Sequence, residues 1–297
     1  MLIKNNVLAD KFVIELKKVF EEHNWNIEEC VDGEISIFDM FCKRLEELET
    51  DLDREFMIEL TRKYLIVGFD DYEKHMEAVF KIFLKRNKEW IKNIETIHMF
   101  PVQDKDYPSK TKSGNVMCYL FQNIYMRKFE ECRNKRIRII ETYNGLEKYK
   151  EDIKCLLLID DFVGSGDTVL ECINQIEGRK IEKENIKVLT LVSQEYGKKV
   201  VEDYGVDIYS AILRNKAITD NYPKEEIPKK IDQMKKISKT IKVKDKNLYL
   251  GYKGSEGLVS MIKTPNNTFP FYWYERKKNG EFTLAPFARR NNIGVDE

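Results

Sequence analysis

The sequence predicts an α/β fold in which helices flank a parallel sheet, with a helical N-terminal region and a C-terminal extension. Strand-like and helix-like segments alternate between residues 96 and 213, which is typical of parallel α/β sheets. Leu156–Ile159 is short and continuously apolar, as in a strand covered on both faces. Apolar residues in the first ninety positions recur every three or four residues, which predicts amphipathic helices.

These patterns divide the chain into three predicted regions. Residues 1–94 form a helical N-terminal region, residues 95–215 an α/β core, and residues 216–297 a C-terminal helix and a hood-like extension. The apolar series of the four N-terminal helices begin at Leu8, Phe38, Phe56 and about Tyr72. The predicted core strands are 96–101, 137–143, 156–159, 186–192 and 206–213. The predicted core helices are 115–129, 168–176 and 195–204, and an amphipathic helix follows from Ile227 to Ile241.

Composition excludes several classes of protein. The 297 residues include 51 lysines and arginines, 51 aspartates and glutamates, and 42% hydrophobic residues, so we expect a folded chain that is not built to coat polyanions. No apolar run approaches the ~18 residues that span a bilayer, and the first residues lack a secretory segment. We therefore expect a soluble, cytoplasmic protein without membrane association. The six cysteines and three histidines show no metal-ligand spacing, so no protein-held metal is predicted.

The segment 156–168 carries the chemistry. An apolar strand delivers Asp160 and Asp161 at its carboxyl end, where ligands of open α/β sheets bind. Gly164 and Gly166 allow a sharp turn into a helix, whose N-terminal amides favour a phosphate. Carboxylates accept hydrogen bonds from vicinal hydroxyls, so this arrangement predicts binding of a ribose 5-phosphate.

Three alternatives apply to this segment. An apolar strand ending in two acids also occurs in P-loop ATPases, but no G-x-x-x-x-G-K-[ST] string precedes it. A phosphoacceptor receiver domain would carry its paired acids after the first strand. A purely structural, capped turn would explain the glycines and Thr168 but not the two acids.

The same segment resembles the signature of type I phosphoribosyltransferases, which binds 5-phosphoribosyl 1-diphosphate (PRPP). The resemblance implies a type I phosphoribosyltransferase-like parallel sheet, and it implies that Asp160 and Asp161 hold the ribose hydroxyls. It also implies that the 5-phosphate is bound by the following loop, comprising Gly164, Ser165, Gly166, Asp167 and Thr168. Mg²⁺ is implied as a cofactor that arrives with PRPP, bridging ligand oxygens, rather than as a metal held by the protein.

Two positions depart from this signature. Purine-salvage members carry an acid where this chain has Gly164, which argues against a purine base as acceptor. Asp167 places a carboxylate in the phosphate loop, where repulsion would weaken binding unless the side chain points outward.

A second loop matches the pyrophosphate loop of this family by its place after the first core strand. Its candidate residues are Lys110, Lys112, Ser113 and Gly114. Lysine ammonium groups and a hydroxyl can face a diphosphate. The alternative is a capped surface loop that happens to carry lysines.

The tail resembles the C-terminal signature of the PRTase-CE group, which are phosphoribosyltransferase-like proteins of bacterial conflict and anti-phage systems, some of them retron-associated. The resemblance runs through Gly251-Tyr252 and residues 255–259 to the string 264–273. We considered Asn266, Asn267, Phe269 and Trp273 as a hood that stacks on a base. The alternative is that these aromatic residues pack the tail onto the core.

These resemblances imply a defence effector that binds PRPP or a related ribose 5-phosphate and transfers or cleaves a ribosyl group. Its implied partners are other subunits of a defence system, such as a reverse transcriptase with its noncoding RNA. One alternative is a catalytically inert sensor or assembly subunit. Another is a nucleic-acid-associated protein, because residues 224–246 are rich in lysine, although the balanced overall charge argues against direct nucleic-acid binding.

Overall fold

The computed structural model describes residues 8–28, 30, 33–103, 113–278 and 280–289. It divides into two compact units. Unit 1 combines the described residues up to Val67 with those from Lys216 onward, and unit 2 spans Gly68–Asn215. These units divide the chain differently from the predicted domains, because the first three helices join the C-terminal region and the fourth helix joins the sheet.

The secondary structure alternates most regularly in unit 2. The helices are α1 Asp10–His23, α2 Ile37–Glu46, α3 Asp51–Thr61, α4 Phe69–Lys92, α5 Ser113–Leu120, α6 Glu130–Arg133, α7 Tyr143–Tyr149, α8 Asp167–Glu177, α9 Glu195–Asp203 and α10 Ile227–Thr240. The strands are β1 Leu65–Ile66, β2 Thr96–Pro101, β3 Arg136–Ile139, β4 Leu156–Val163, β5 Ile186–Gln194, β6 Asp207–Arg214, β7 Val259–Ser260, β8 Lys277–Lys278 and β9 Glu281–Phe282. Among the described helices, none is both long and apolar enough to cross a bilayer.

Unit 2 contains a five-stranded sheet in the order β3-β2-β4-β5-β6, and every neighbouring pair is parallel. This confirms the predicted α/β fold. One face is covered by α4, where Phe83 packs edge-on against Tyr209 of β6 and Asn87 donates a hydrogen bond to the Tyr209 hydroxyl. The other face shares an apolar core with α8, in which Leu158 and Val188 pack with Ile173.

Two predicted elements of unit 2 differ from the structure in more than the position of an end. The predicted helix 115–129 is α5 followed by a π-helix, Phe121–Tyr125, and a 3₁₀ turn. Within the π-helix, the Asn123 amide donates to the Tyr119 carbonyl, a side-chain bond of the kind that competes with regular helix. The predicted strand 137–143 ends at Ile139, because Thr142 caps α7 by accepting a hydrogen bond from the Gly145 amide.

Unit 1 is built from α1, α2, α3, α10 and the tail around one apolar core. Phe12, Phe41 and Leu60 of the predicted N-terminal helices are buried there together with Ile237 of α10 and Phe271 of the tail. The short strands β1 and β7 pair in parallel within this unit. The N-terminal helices are therefore present as predicted, and their apolar faces pack with the C-terminal region.

Candidate functional site

The order of the strands in the unit 2 sheet reverses at β2. The chain passes from β2 to β3 on one side and then returns to β4 on the other side of β2. Helices that follow β2 and β4 therefore leave the sheet in different directions, and ligands of such sheets bind outside the carboxyl ends of the strands at this reversal. Asp160 and Asp161 lie near the carboxyl end of β4, beside that point.

Both acids belong to β4, which continues to Val163 instead of ending at Ile159 as predicted. The extension occurs because Phe162 and Val163 pair with Val192 and Ser193 of β5. The two carboxylates are half-buried. Asp160 Oδ1 accepts a hydrogen bond from the Asp161 amide at 2.9 Å, which fixes the orientation of the first carboxylate.

Tyr72 of α4 positions the second carboxylate. Its buried side chain donates a hydrogen bond from the hydroxyl to Asp161 Oδ2 at 2.7 Å. Asp161 Oδ1 takes no hydrogen bond from the part of the chain that the structure describes. One oxygen of Asp161 is therefore held by the protein while the other is left for a ligand hydroxyl.

The turn after β4 leads directly into the N-terminus of α8. Gly166 caps this helix in the left-handed region, at φ 86° and ψ −11°, a conformation that favours glycine. The first amides of an α-helix have no partner within the helix, so a helix N-terminus favours an anion, and in α8 these amides belong to residues 167–169. Thr168 is exposed at this end of the helix, as a phosphate-binding hydroxyl would need to be.

Ser165 and Asp167 contact each other within the turn. The Ser165 hydroxyl donates to Asp167 Oδ2 at 2.8 Å, and both side chains are buried or half-buried. The Asp167 side chain therefore does not point freely outward. This differs from the sequence analysis, in which a phosphate loop required an outward orientation. Because the Ser165 hydroxyl proton is already used, the backbone amides are the main donors that this turn offers to a phosphate.

Gly197 in the first turn of α9 supports the turn from behind, and sequence reasoning missed it. A Cβ atom at this position would lie 2.0 Å from the Gly164 carbonyl oxygen and 3.1 Å from the Gly166 nitrogen. A Cβ at Gly166 would in turn lie 3.0 Å from the Gly197 carbonyl oxygen. The helix and the turn can pack this closely only without side chains. The only sequence signal for this contact is the presence of a glycine in the first turn of α9, the helix that follows β5.

The second predicted loop is only partly described. Lys110 and Lys112 lie outside the described residues. Ser113 and Gly114 begin α5, directly after the loop that follows β2. A Cβ at Gly114 would lie 2.6 Å from the Ile159 carbonyl oxygen of β4, so the start of α5 packs against β4 just before the two acids.

The predicted base hood lies in unit 1 and does not have the form expected of a hood. Phe269 is fully buried in the core of that unit, and the indole Nε1 of the buried Trp273 donates to the Thr268 carbonyl at 2.7 Å. The backbone carbonyls of Asn266 and Asn267 accept hydrogen bonds from other amides of the tail. The aromatic rings therefore pack the tail onto its own core, which corrects the hood and matches the alternative considered for them.

The Cys118 thiol, which interacts electrostatically with Asp160, is not a candidate nucleophile. Burial raises the pKa of Cys118 on α5 well above its ordinary value, and the negative charges of Glu141 and Asp160 raise it further. The thiol is therefore neutral at physiological pH, and nucleophilic cysteine chemistry requires the thiolate. The carboxylates and the backbone amides remain as the chemical groups of the site.

The chain is similar to known phosphoribosyltransferase-like proteins. A sequence profile of the PRTase-CE family matches residues 42–287, which is most of the chain. The chain belongs to the PRTase-CE family. The match runs through both units of this PRTase-CE protein, and it confirms the family predicted from the turn and the tail.

Other similarities of this PRTase-CE protein are more local. A xanthine phosphoribosyltransferase of Clostridium acetobutylicum is 35% identical over 65 residues, so the chain spans about a third of the length of this curated relative. An orotate phosphoribosyltransferase from Aeropyrum pernix is 11% identical with a TM-score of 0.30, covering 48% of this chain and 71% of its own. A hypothetical protein from Neisseria gonorrhoeae with bound ppGpp is 16% identical with a TM-score of 0.32. The match covers 51% of this chain and 85% of that protein's chain.

Proposed function

We propose that this protein binds PRPP or a related ribose 5-phosphate at the end of β4 and transfers or cleaves its ribosyl group. The observation that carries the proposal is the junction of two half-buried carboxylates, Asp160 and Asp161, with a glycine turn that opens a helix N-terminus. Sugar hydroxyls and a phosphate are the two groups that these elements suit. Membership of the PRTase-CE family supports the same ligand class.

In this proposal each part of the junction has one task. Asp160 and Asp161 accept hydrogen bonds from the ribose 2- and 3-hydroxyls, with Asp161 oriented by Tyr72. The amides of residues 165–168 and the Thr168 hydroxyl bind the 5-phosphate. In the proposal, Ser113 and Gly114 at the start of α5 contact the diphosphate, and the predicted diphosphate ligands Lys110 and Lys112 lie outside the described residues.

The described residues also fit a magnesium ion that comes with the ligand. Mg²⁺ usually keeps several waters and uses one or two carboxylates plus substrate phosphates, which Asp160 and Asp161 can supply. When bound, the ion neutralises negative charge on the diphosphate.

The reaction is a substitution at C1 of the ribose. The C1–O bond to the diphosphate breaks and its electron pair leaves with pyrophosphate, while an acceptor nucleophile or water forms the new bond at C1 and loses a proton. Charge development at C1 resembles that in glycoside cleavage. The protein contributes by holding the sugar at both ends, so that C1 is fixed relative to the acceptor.

Isothermal titration calorimetry with PRPP and Mg²⁺ tests the binding step. Asp161→Asn keeps the size of the side chain but removes the charge that accepts the ribose hydroxyl, and hydrogen bonds to charged groups contribute about 1.5–3 kcal/mol. We expect PRPP affinity to fall by about 10- to 100-fold. Equal affinities for the wild type and Asp161→Asn would dismiss the site.

A second function is favoured by Gly164, which cannot supply the proton acceptor that purine-salvage enzymes carry at this place. In this alternative the protein is a catalytically inert sensor or assembly subunit that binds the ligand without transferring it. A coupled assay for pyrophosphate separates the two. Steady pyrophosphate release that disappears in Asp161→Asn supports transfer or cleavage, whereas binding without release supports the sensor.

We further propose that the protein acts in bacterial anti-phage defence with partner subunits, such as a reverse transcriptase with its noncoding RNA. This proposal is supported by the resemblance to PRTase-CE proteins, which occur in bacterial conflict and anti-phage systems, some of them associated with retrons. Phage plating on cells that carry this gene with its neighbours tests the role. We expect protection with the wild type and loss of protection with Asp161→Asn, and equal plating with and without the locus would contradict the proposal.

A further inference from the structure

A second anion-binding feature lies in unit 1, which does not contain the proposed ribose site. It is a cavity of about 340 Å³. Three lysines, Lys235, Lys239 and Lys246, line it together with Asn247, Tyr249 and Leu250. No carboxylate lines this lysine cavity.

The lysines of α10 differ in their partners according to the side of the helix on which they lie. On the side of α3, Lys230 Nζ lies 3.6 Å from Glu59 and Lys236 Nζ lies 3.4 Å from Asp53. In the lysine cavity, Lys235 Nζ lies 3.5 Å from Oδ1 of the exposed Asp232, and this is its one ion pair among the described residues.

The two remaining cavity lysines, Lys239 and Lys246, are exposed and form no ion pair with any residue the structure describes. Lys235 and Lys239 are four residues apart, so the helix brings their like charges onto one face, which is unfavourable without an anion. Lys230 and Lys236 on the α3 side have carboxylate partners, whereas Lys239 and Lys246 in the cavity have none among the described residues.

The floor of the lysine cavity is apolar and fixed. Tyr249 and Leu250 pack against the core of unit 1, and the Tyr249 carbonyl accepts a hydrogen bond from the Ser238 hydroxyl of α10 at 2.9 Å. Gly254 lies at the edge, where an added Cβ would meet nothing within 4 Å, so the space in front of it is open. The cavity therefore combines an open, charged rim with a rigid aromatic and aliphatic surface.

We propose that the lysine cavity binds a nucleoside phosphate, presented by a single-stranded nucleic acid. Lysine ammonium groups bind phosphates as point charges, and a partly exposed tyrosine ring offers a surface on which a base can stack. The volume is near the lower end of small-ligand sites, which is appropriate for one nucleotide unit. The balanced charge of the whole chain does not oppose this, because residues 214–297 carry 18 lysines and arginines against 10 aspartates and glutamates.

Fluorescence anisotropy of the full chain with a labelled oligouridylate of about 12 nucleotides tests this proposal. The double variant Lys239→Gln/Lys246→Gln removes two cavity charges. Its control is Lys224→Gln/Lys229→Gln, which removes the same charge from exposed lysines outside the cavity. We expect the cavity variant to weaken binding about 10-fold and to lower the salt slope by about 1.4, since each phosphate contact on single strands contributes about 0.7. We expect the control to change affinity less than about 2-fold.

Competitors identify the source of the phosphate and separate this site from the ribose site. Displacement by oligonucleotides but not by uridine monophosphate supports a strand, and equal displacement per nucleotide supports a free nucleotide. Asp161→Asn and saturating PRPP should leave the oligonucleotide affinity unchanged, whatever the outcome for the ribose site. Equal losses in both double variants, equal competition by polyglutamate, or no binding at low salt would overturn the proposal.

Discussion

The sequence predicts a phosphate-binding role for the turn 164–166 and a base-binding role for the end of the tail 251–273, and the structure separates the two segments. The turn 164–166 joins a central strand to α8 and leaves two half-buried carboxylates and a helix N-terminus beside the reversal point of the sheet. The tail 251–273 folds on itself, since a Cβ at Gly251 would lie 2.0 Å from the Asn267 carbonyl oxygen. Phe269, Phe271 and Tyr272 of this segment lie in the core of unit 1.

The difference shows that a glycine indicates a close contact with its Cα but does not indicate whether that contact is with the chain itself or with a ligand. In both segments the immediate neighbour is the chain itself, Gly197 behind the turn and Asn267 beside Gly251. What distinguishes the turn is its position at the carboxyl edge of a parallel sheet, the place where ligands of open α/β sheets bind. Close packing behind the turn then stabilises the donors in one arrangement, which favours a binding site.

The largest effect on ligand binding is expected from alanine at Gly197, and Gly251, which has an equally close contact, provides the comparison. Gly197→Ala places a Cβ against the Gly164 carbonyl and must displace the turn, so we expect PRPP affinity to fall on the order of 100-fold. Gly251→Ala combines a close contact with a positive φ of 75°, so we expect it to lower the free energy of unfolding by about 1–3 kcal/mol instead. PRPP titrations and urea unfolding of both variants measure the contrast.

Gly178→Ala is the control for these variants, because its Cβ would meet nothing closer than 3.4 Å. It should change neither PRPP affinity nor stability by more than about 0.5 kcal/mol. If Gly197→Ala binds PRPP as well as Gly178→Ala does, the turn is not the phosphate site.

A second large effect separates a core role from a base-binding role in the tail. Phe269→Ala removes a fully buried ring, so we expect the free energy of unfolding to fall by about 3–5 kcal/mol while folded protein retains its PRPP affinity. Phe282→Ala, at an exposed ring of the tail, should change stability by less than about 0.5 kcal/mol. If Phe269→Ala had normal stability but reduced ligand affinity, the result would support a base-binding role for this part of the tail.

A smaller effect tests whether Tyr72 positions Asp161. Tyr72→Phe removes one hydrogen bond to a carboxylate, and we expect PRPP affinity to fall about 3- to 10-fold. Tyr209→Phe is the matched control, since it removes a buried tyrosine hydroxyl bonded to Asn87 in the same unit. Both variants should lose similar stability, and only Tyr72→Phe should lose affinity. Equal affinities in the two variants would show that Tyr72 has only a structural role.

The parts of the molecule that sequence predicted are those encoded by local patterns. The apolar run Leu156–Ile159 located the central strand, and the glycines after it located the turn into α8. The strand proved longer, because pairing with β5 carries it through Asp160 and Asp161, where the hydrophobic pattern stops. Pairing with a distant strand leaves no mark in the local sequence.

The parts that sequence missed depend on contacts between distant residues. Tyr72 lies 89 residues before Asp161 in the chain, in a helix whose other residues showed only an apolar face. Gly197 belongs to the helix after the next strand. The burial of Phe269 was equally invisible, because an aromatic cluster has the same sequence pattern whether it packs inward or receives a base.

Crystals of the wild-type protein soaked with ribose 5-phosphate and Mg²⁺ test the central claim most directly. The account predicts the phosphate within hydrogen-bond distance of the amides of residues 165–168, and the ribose hydroxyls on Asp160 and Asp161. A phosphate bound elsewhere, with the turn and both carboxylates free of ligand, would contradict it.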